Sequence, residues 1–301
     1  MIETEPRTRA RLPAWLRLKL PATAAYRDTK VLLGQFKLHT VCASAKCPNH
    51  WECWSRGAAA FMVAGDRCTR ACAFCAVNTA KPAPLDPTEP ARVAEAAHEL
   101  RLKHVVITSV ARDDLPDGGA GHFHRTIDAV RARNPGAIIE VLTPDFNDQD
   151  AALDTVLAAK PDIFNHNLET VRRLTPALRS RASYDRSLSV LRKAKQRQGP
   201  RGHTKSGLML GLGELEAEVL AALRDLRQAG CDGLTLGQYL QPTRQQAPVV
   251  EYVAPAKFAE YGRVARELGF RYVASGPLVR SSYHAAEWAI GRELVAAGKQ
   301  P

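Results

Sequence analysis

The chain has 301 residues, of which 45% are hydrophobic and 24% charged, and carries a formal net charge of +11. These values exclude a disordered or disulfide-stapled chain, because about 300 residues bury most of their own surface without covalent help. The N-terminus, Met1-Ile2-Glu3-Thr4-Glu5-Pro6-Arg7, is polar, and no run approaches the roughly 18 apolar residues of a membrane span. A cytoplasmic protein with reduced thiols and no membrane contact is therefore expected. The positive charge points to an acidic protein surface, an anionic cofactor or simple solubility. No nucleic-acid-binding motif accompanies it, and no nucleic acid is expected.

Residues 1–58 carry turn signals at Pro13, Pro21 and Pro48 and read as an N-terminal arm. From residue 59 onward short β-branched runs alternate with longer amphipathic stretches. Strands are expected at Phe61–Gly65, His104–Val110, Ile138–Leu142, Ile163–Asn167, Gly207–Leu212, Gly233–Gln238 and Tyr272–Ser275. Helices are expected between them at Glu89–Leu102, His122–Arg133, Gln149–Ala159, Arg186–Gln198, Glu214–Ala229 and Pro255–Leu268. Gly199, Gly230 and Gly269 stand where helix C-termini favour glycine. Such alternation means βαβ units and a parallel sheet. The fold class is α/β, a partial (β/α)6-type barrel over residues 59–276, followed by a C-terminal extension over residues 277–301. The polar strings Ala111-Arg112-Asp113-Asp114, Thr143-Pro144-Asp145, Asn165-His166-Asn167-Leu168-Glu169, Gly213-Glu214, Gln238-Tyr239-Leu240-Gln241 and Arg280-Ser281-Ser282-Tyr283 all follow a strand. They belong on the active-site face of a barrel, at the strand C-terminal ends.

Six of the seven cysteines fall between residues 42 and 75, as C-x4-C-x5-C (Cys42, Cys47, Cys53) and C-x3-C-x2-C (Cys68, Cys72, Cys75). Three thiolates can each hold one iron of a [4Fe–4S] cube and leave the fourth iron open to a cofactor. A structural zinc site asks for four ligands, and the second triplet offers three. The first triplet leaves both readings open, since His50 lies between Cys47 and Cys53 and could complete a Cys3His zinc site. Cys231 stands alone after a helix-ending glycine and reads as a small buried hydrophobe.

Cys68-Thr69-Arg70-Ala71-Cys72-Ala73-Phe74-Cys75, after the first strand of a barrel, resembles the radical S-adenosylmethionine superfamily. The longer string from Thr40 to Gly57, with Arg112-Asp113-Asp114-Leu115-Pro116, Asn165-His166-Asn167-Leu168-Glu169, Lys205-Ser206-Gly207-Leu208-Met209 and Arg280-Ser281-Ser282-Tyr283, resembles the lipoyl synthases within it. That resemblance, which covers nearly the whole chain, implies two [4Fe–4S] clusters and S-adenosylmethionine as cofactors. It implies insertion of two sulfur atoms at C6 and C8 of a protein-bound octanoyl-lysine, with a deoxyadenosyl radical removing one hydrogen atom for each. Cys68, Cys72 and Cys75 would hold the radical-generating cluster. Cys42, Cys47, Cys53 and a serine of the R-S-S-Y motif, Ser282 rather than Ser281, would hold an auxiliary cluster that is the sulfur donor.

The resemblance further places Asn165, Asn167 and Glu169 at the cofactor's ribose or methionine end, with loop capping as the plainer alternative. Phe74 shields the cluster or packs, and Arg181 and Lys205 are candidate anion anchors. Arg112, Asp113 and Asp114 orient substrate or form a rim ion pair. Gly118 and Gly119 allow close backbone approach or make a turn. Trp15, among Arg11, Arg17 and Lys19, suggests an arm crossing the barrel. The implied partners are octanoylated lipoyl-carrier domains (2-oxoacid dehydrogenase E2 subunits and the glycine cleavage H protein), a flavodoxin- or ferredoxin-type electron donor and an iron–sulfur cluster carrier. Ala43, Ala111 and Gln246 depart from the family pattern (Gln246 where a histidine is usual), and none is a presumed cluster ligand.

Overall fold

The computed structural model describes residues 12–17, 23–55, 58–199 and 202–282; Arg11, Lys19, Pro21 and Tyr283, with the extension after it, lie outside the described residues. In the arm, helix α1 (Ala24–Gln35) is capped by the Thr23 hydroxyl, which accepts from the Tyr26 amide. Strand β1 (His39–Thr40) runs antiparallel to β2 (Ala60–Val63), and between them lie the short helices α2 (Val41–Ser44) and α3 (His50–Ser55). Residues 67–79 carry a separate parallel pair, β3 (Arg67–Cys68) with β4 (Asn78–Thr79).

The βα units that follow are α4 (Glu89–Glu99), β5 (His104–Ser109), α5 (Ala120–Arg133), β6 (Ile138–Leu142), α6 (Asp150–Ala158), β7 (Ile163–Asn165), α7 (Thr175–Leu178), α8 (Tyr184–Gln198), β8 (His203–Leu210), α9 (Glu216–Gln228), β9 (Gly233–Gln238), α10 (Pro255–Glu267) and β10 (Tyr272–Ser275). Spatial order in the sheet is β1-β2-β5-β6-β7-β8-β9-β10, parallel throughout from β2. Every crossover thus lays the next strand beside the last. No pairing joins β10 to the opposite edge among the described residues, so this is the partial barrel expected. Central strands such as β5 and β9 are buried almost throughout, as a sheet covered on both faces requires.

Two boundaries differ instructively. Strand β8 begins four residues before the expected Gly207, because Thr204, Lys205 and Ser206 find polar partners inside the sheet. Strand β7 ends at Asn165, two residues early, after which the chain returns to β8 through a bridge between Glu169 and Leu208.

One apolar core joins β2, β5 and β6 to α4, α5 and α6, and takes in Leu33 of α1 and Trp54 of α3; a second joins β8 and β9 to α8, α9 and α10. The arm's helices are therefore built into the first core, and Leu33→Ala is expected to cost about 2–5 kcal/mol. Urea denaturation checks this, with tryptophan fluorescence and far-UV circular dichroism moving to one lower midpoint.

Near the C-terminal ends of the strands the interior is polar. His166 is buried, and its Nδ1 faces the Thr143 carbonyl at 2.9 Å. That nitrogen must therefore carry the proton, and Nε2 accepts from the Ser187 hydroxyl at 3.0 Å. Burial, helped by the Arg179 cation, holds the His166 pKa down at about 4, against an ordinary value of 6.5. As pH falls through that window the unfolded chain takes up a proton that the folded chain refuses, so stability decreases from pH 6.5 to 4. The interval corresponds to about 3 kcal/mol. Urea titrations across this range should show a slope that His166→Gln removes.

Candidate functional site

The loop carrying Cys68, Cys72 and Cys75 leaves the sheet after β2 and is tied at its base by the β3–β4 pair. The Ala73 amide donates to the Leu178 carbonyl (2.9 Å), and the Ala73 carbonyl accepts from the Ala247 amide (2.8 Å), so loops after β7 and β9 grip it from two sides. Within it the Cys75 amide donates to the Cys72 carbonyl (3.0 Å), which closes the turn that brings these two residues together. The Cys68 sulfur accepts from the backbone amides of Arg70 (3.4 Å) and Ala111 (3.3 Å). Every cysteine in the chain is a free thiol. Burial pushes the Cys75 thiol up to about 12, with Cys72 and Cys68 close enough to add to the effect, and it raises Cys72 as well. The Cys72 and Cys75 thiols would therefore release protons on binding a metal.

Arg70 fixes the loop to the barrel rim. Its guanidinium is buried and grips Asp113 through Nε and Nη2 (2.8 and 2.7 Å), and it reaches Asp145 at 2.7 Å. Burial alone would push the Asp145 carboxyl up, but Arg70 outweighs it and holds the group below its usual range. Asn147 completes the latch, accepting from Arg70 (3.1 Å) and donating to Asp113 (3.1 Å). To do so it adopts a left-handed backbone, φ 52°, between two further left-handed residues, Phe146 and Asp148. Such strain in three successive non-glycine residues persists only where the surroundings enforce it.

Asn165 and Asn167 are buried beside the loop. Asn165 donates to Glu140 (2.9 Å), and Asn167 donates to both Glu169 (3.1 Å) and the Ser281 hydroxyl (2.7 Å). The carbonyl oxygens of both amides have no hydrogen-bond partner. Glu169 has a left-handed φ of 69°, and its carboxyl is pushed up by burial and partly restrained by Arg179. Arg179 is the buried cation of this region, donating to the Leu168 carbonyl (3.0 Å) and lowering the Cys72 thiol. Arg181, two residues on, is exposed. The sequence contains the Arg179/Arg181 pair but no periodicity that separates the buried member from the exposed one.

In the arm, the Thr40 hydroxyl caps α2 by accepting from the Ala43 amide (3.2 Å), and this sets Cys42 in the first helical turn, buried. The Cys47 amide then donates to the Cys42 carbonyl (2.9 Å). Burial raises the Cys42 thiol to about 11, opposed by the Ala60 amide and the Trp54 side chain. Cys53 lies on α3, half-buried. His50 stacks among Tyr26, Trp51 and Trp54, and its Nδ1 donates to the Cys47 carbonyl (2.7 Å). Among the described residues no three His, Cys, Asp or Glu side chains converge on a single-ion position.

The segment after β10 joins the two cysteine groups. Asn49 donates to the Leu278 carbonyl (2.5 Å), and Arg280 hydrogen-bonds the Cys47 side chain. Ser281 meets Asn167 and gives its carbonyl to Lys205 Nζ (2.6 Å). Contacts therefore run from Cys47 through Arg280, Ser281 and Asn167 to Glu169, whose carboxyl lies near enough to Cys72 and Cys75 to act on them electrostatically.

Other residues singled out in the sequence have plainer placements. Asp114 pairs with Arg112, which also donates to the Ala64 carbonyl (3.0 Å), while Asp113 belongs to Arg70. Gly118 and Gly119 form the left-handed turn into α5, with Asp117 accepting from the Gly119 amide. Phe74 packs with Ala73 against Leu178, Leu212 and Tyr239. Cys231 is fully buried, and Trp15 is exposed. Ala111 accepts from the Thr69 amide, and Gln246 accepts from the Thr243 hydroxyl (2.5 Å).

Comparison with known proteins bears directly on this arrangement. The radical SAM superfamily model matches residues 62–232, and the model of the N-terminal domain of lipoyl synthase of the radical SAM family matches residues 2–47. The chain is 53% identical to the lipoyl synthase of Rubrobacter xylanophilus over 91% of its own length and 85% of the relative's. It is 55% identical to lipoyl synthase 2 of Gloeobacter violaceus (92% and 96%) and 55% identical to the lipoyl synthase of Thermus thermophilus (91% and 85%). Among solved structures, methylornithine synthase shares the fold at a TM-score of 0.50 and 15% identity over 94% of each chain. Streptococcus suis SuiB bound to its precursor peptide SuiA does so at 0.56 and 11% identity, covering 87% of this chain and 55% of that one; the chain spans about half the length of the SuiB structures it matches. With both family models matched and more than half of the aligned residues identical to these relatives, the chain belongs to the lipoyl synthase family of the radical SAM superfamily.

Proposed function

We propose that this chain is a lipoyl synthase, inserting two sulfur atoms at C6 and C8 of an octanoyl-lysine on a lipoyl-carrier domain. The observation that carries the reading is the meeting of both cysteine groups at one barrel mouth, joined through Asn167 and Ser281 in a chain of this family. Cys68, Cys72 and Cys75 would hold one [4Fe–4S] cluster, and Cys42, Cys47 and Cys53 with Ser282 a second. When bound, the two clusters and S-adenosylmethionine supply one-electron radical chemistry and sulfur.

The donor set suits these groups. Six thiols in two triplets are the soft ligands that iron–sulfur clusters take. The unpartnered carbonyl oxygens of Asn165 and Asn167 are acceptors waiting for the hydroxyl or ammonium donors of a cofactor, since a buried acceptor left empty costs about 1–3 kcal/mol. Glu169 adds a carboxyl group beside them. The amides of Arg70 and Ala111 aim at the Cys68 sulfur and fix its position. Phe74 covers the cysteine loop on its apolar side. Arg181, exposed at the rim, is placed to meet an anionic group arriving from solution, whereas Arg179 acts from within. Ser281 already uses both its hydroxyl and its carbonyl, and no comparable contact occupies the Ser282 hydroxyl among the described residues; this favours Ser282 as the oxygen ligand. An alkoxide is a harder ligand than thiolate and holds iron less well, which suits a cluster that gives up sulfur.

The reading brings with it a cytoplasmic setting, E2 subunits or the glycine cleavage H protein as carriers, a flavodoxin- or ferredoxin-type electron donor and an iron–sulfur cluster carrier. No helix among the described residues is long and apolar enough to cross a membrane. The net charge of +11 favours approach of an acidic carrier domain.

Anaerobic incubation of an octanoylated carrier peptide with reductant and S-adenosylmethionine should yield a product bearing two added sulfurs by mass spectrometry. A product without sulfur would sink the reading. Ser282→Ala should lower two-sulfur product by at least about tenfold, the scale of losing one positioned ligand contact. Reconstituted protein should hold about eight irons per chain, and about four when either Cys42, Cys47 and Cys53 or Cys68, Cys72 and Cys75 are replaced together by alanine. Iron analysis with visible absorption checks the count.

A further inference from the structure

Lys205 is buried within the barrel, yet it faces neither solvent nor an open anion site. Its Nζ lies 2.9 and 3.2 Å from the two carboxylate oxygens of Glu140 and 2.6 Å from the carbonyl oxygen of Ser281. Glu140 is fully buried too. Burial pushes its carboxyl up, but Lys205 outweighs that and holds it at about 2, with His104 Nε2 (3.1 Å) and Asn165 Nδ2 (2.9 Å) taking up further acceptor positions. The third direction of the ammonium is spent on a backbone carbonyl from a segment 76 residues away in sequence. Asn167 holds the same serine by its hydroxyl. One strand further on, a Cβ added at Gly237 would run into the Val279 carbonyl, and one at Gly207 would come within 3.2 Å of the Ser281 hydroxyl. Glycine at these positions leaves the channel the segment occupies.

We propose that the barrel interior is a socket for residues 277–282, in which Lys205 is the positioning residue that clamps the Ser281 backbone and Gly237 supplies the clearance. Ser281 is held at both its hydroxyl and its carbonyl, and the residue before it, Arg280, meets Cys47. The pairing of Lys205 with Glu140 compensates the burial of each group with an opposite charge. This assignment deepens the proposed function, because it names what presents Ser282, and it rests on that reading only for its consequence at the cluster.

The experiment removes the clamp in two independent ways. Replacing both charges together (Lys205→Met with Glu140→Gln) avoids leaving one buried charge alone, and Gly237→Ala leaves the charges untouched. Hydrogen–deuterium exchange of the peptide covering 277–282 in the full-length, iron-free protein reads the segment directly. Both variants are expected to lower its protection by about tenfold or more, the scale of a lost hydrogen bond to a charged donor. Trypsin cleavage after Arg280 should accelerate in parallel. Unchanged protection in Gly237→Ala overturns the socket, and it decides the matter if the double variant does not fold. A specific position also has a spectroscopic mark. In the reconstituted double variant, Mössbauer spectra should lose the site with an oxygen ligand while the iron remains, and the Lys205→Arg variant should restore it in part. Retention of that site in the double variant overturns Lys205 as the positioning residue. Failure of the wild-type protein to make a two-sulfur product would defeat the functional reading and leave the exchange pattern as it is.

Discussion

One buried ammonium group ties the barrel to its own C-terminal segment. Lys205 sits between the Glu140 carboxylate and the Ser281 carbonyl, and neither interaction makes sense without the other. A buried ion pair seldom adds net stability, because desolvating two charges costs about as much as their attraction returns. It is tolerated when every donor and acceptor is filled. Here Glu140 accepts from Lys205, Asn165 and His104, while Lys205 spends its remaining donor on the strand that leaves β10. The gain is in specificity of position, since only one path of the 277–282 segment satisfies the ammonium. That path carries Arg280 to Cys47 and Leu278 to Asn49, so the arm's location depends on it as well.

A second polar device acts on the opposite group of cysteines. Arg70 stands between two of them in sequence, yet its guanidinium is spent on loops after β5 and β6 through Asp113, Asp145 and Asn147. Three βα loops are locked to one another by this side chain, and the backbone amides of Arg70 and Ala111 are thereby aimed at the Cys68 sulfur. The thiols of Cys72 and Cys75 are raised by burial, so binding of iron expels protons from a site whose frame is already in place. Preorganisation of this kind keeps the cost of ordering out of the binding step.

The barrel was readable in the sequence because hydrophobic runs in parallel strands are long, and helices between them end in glycine. Ile138–Leu142, Gly233–Gln238 and Tyr272–Ser275 match to the residue. Misplacements fall where polar side chains point inward. His203 to Ser206 look like a loop by composition, but Thr204, Lys205 and Ser206 are buried and paired, so the strand starts there. Helix α1 went unread because the arm's prolines and cysteines drew attention to turns, while its apolar stripe, which includes Leu33, is short. Cysteine spacing and the neighbouring strings pointed to both candidate sites. They did not reveal Arg179 as the buried cation, the left-handed Asn147 latch or the clamp on Ser281, all of which depend on contacts between residues 8 to 114 positions apart. Local patterns record periodicity and turn chemistry, not which of two neighbouring arginines finds a carbonyl in the interior.

The two cysteine groups are braced unequally, and the difference follows the chemistry proposed for each. Cys68, Cys72 and Cys75 lie in a loop held by a parallel strand pair, by backbone bonds to Leu178 and Ala247 and by the Arg70 latch. Cys42 and Cys53 lie on two short helices, of four and six residues, with Cys47 in the turn between them, and an aromatic cluster of Tyr26, His50, Trp51 and Trp54 packs this region. Helices this short gain little from their own hydrogen bonds and depend on packing for their order. The fourth position proposed for this group would come from a segment held through Ser281 rather than from the sheet. A radical-generating centre has to return to the same geometry at every turnover and is well served by the cross-braced rim. A cluster that surrenders its sulfur must be dismantled and rebuilt, and local opening of a lightly braced element lies at the low end of the free-energy range. Placing the expendable site on the arm and on a clamped strap lets it open without disturbing the rim a few side chains away.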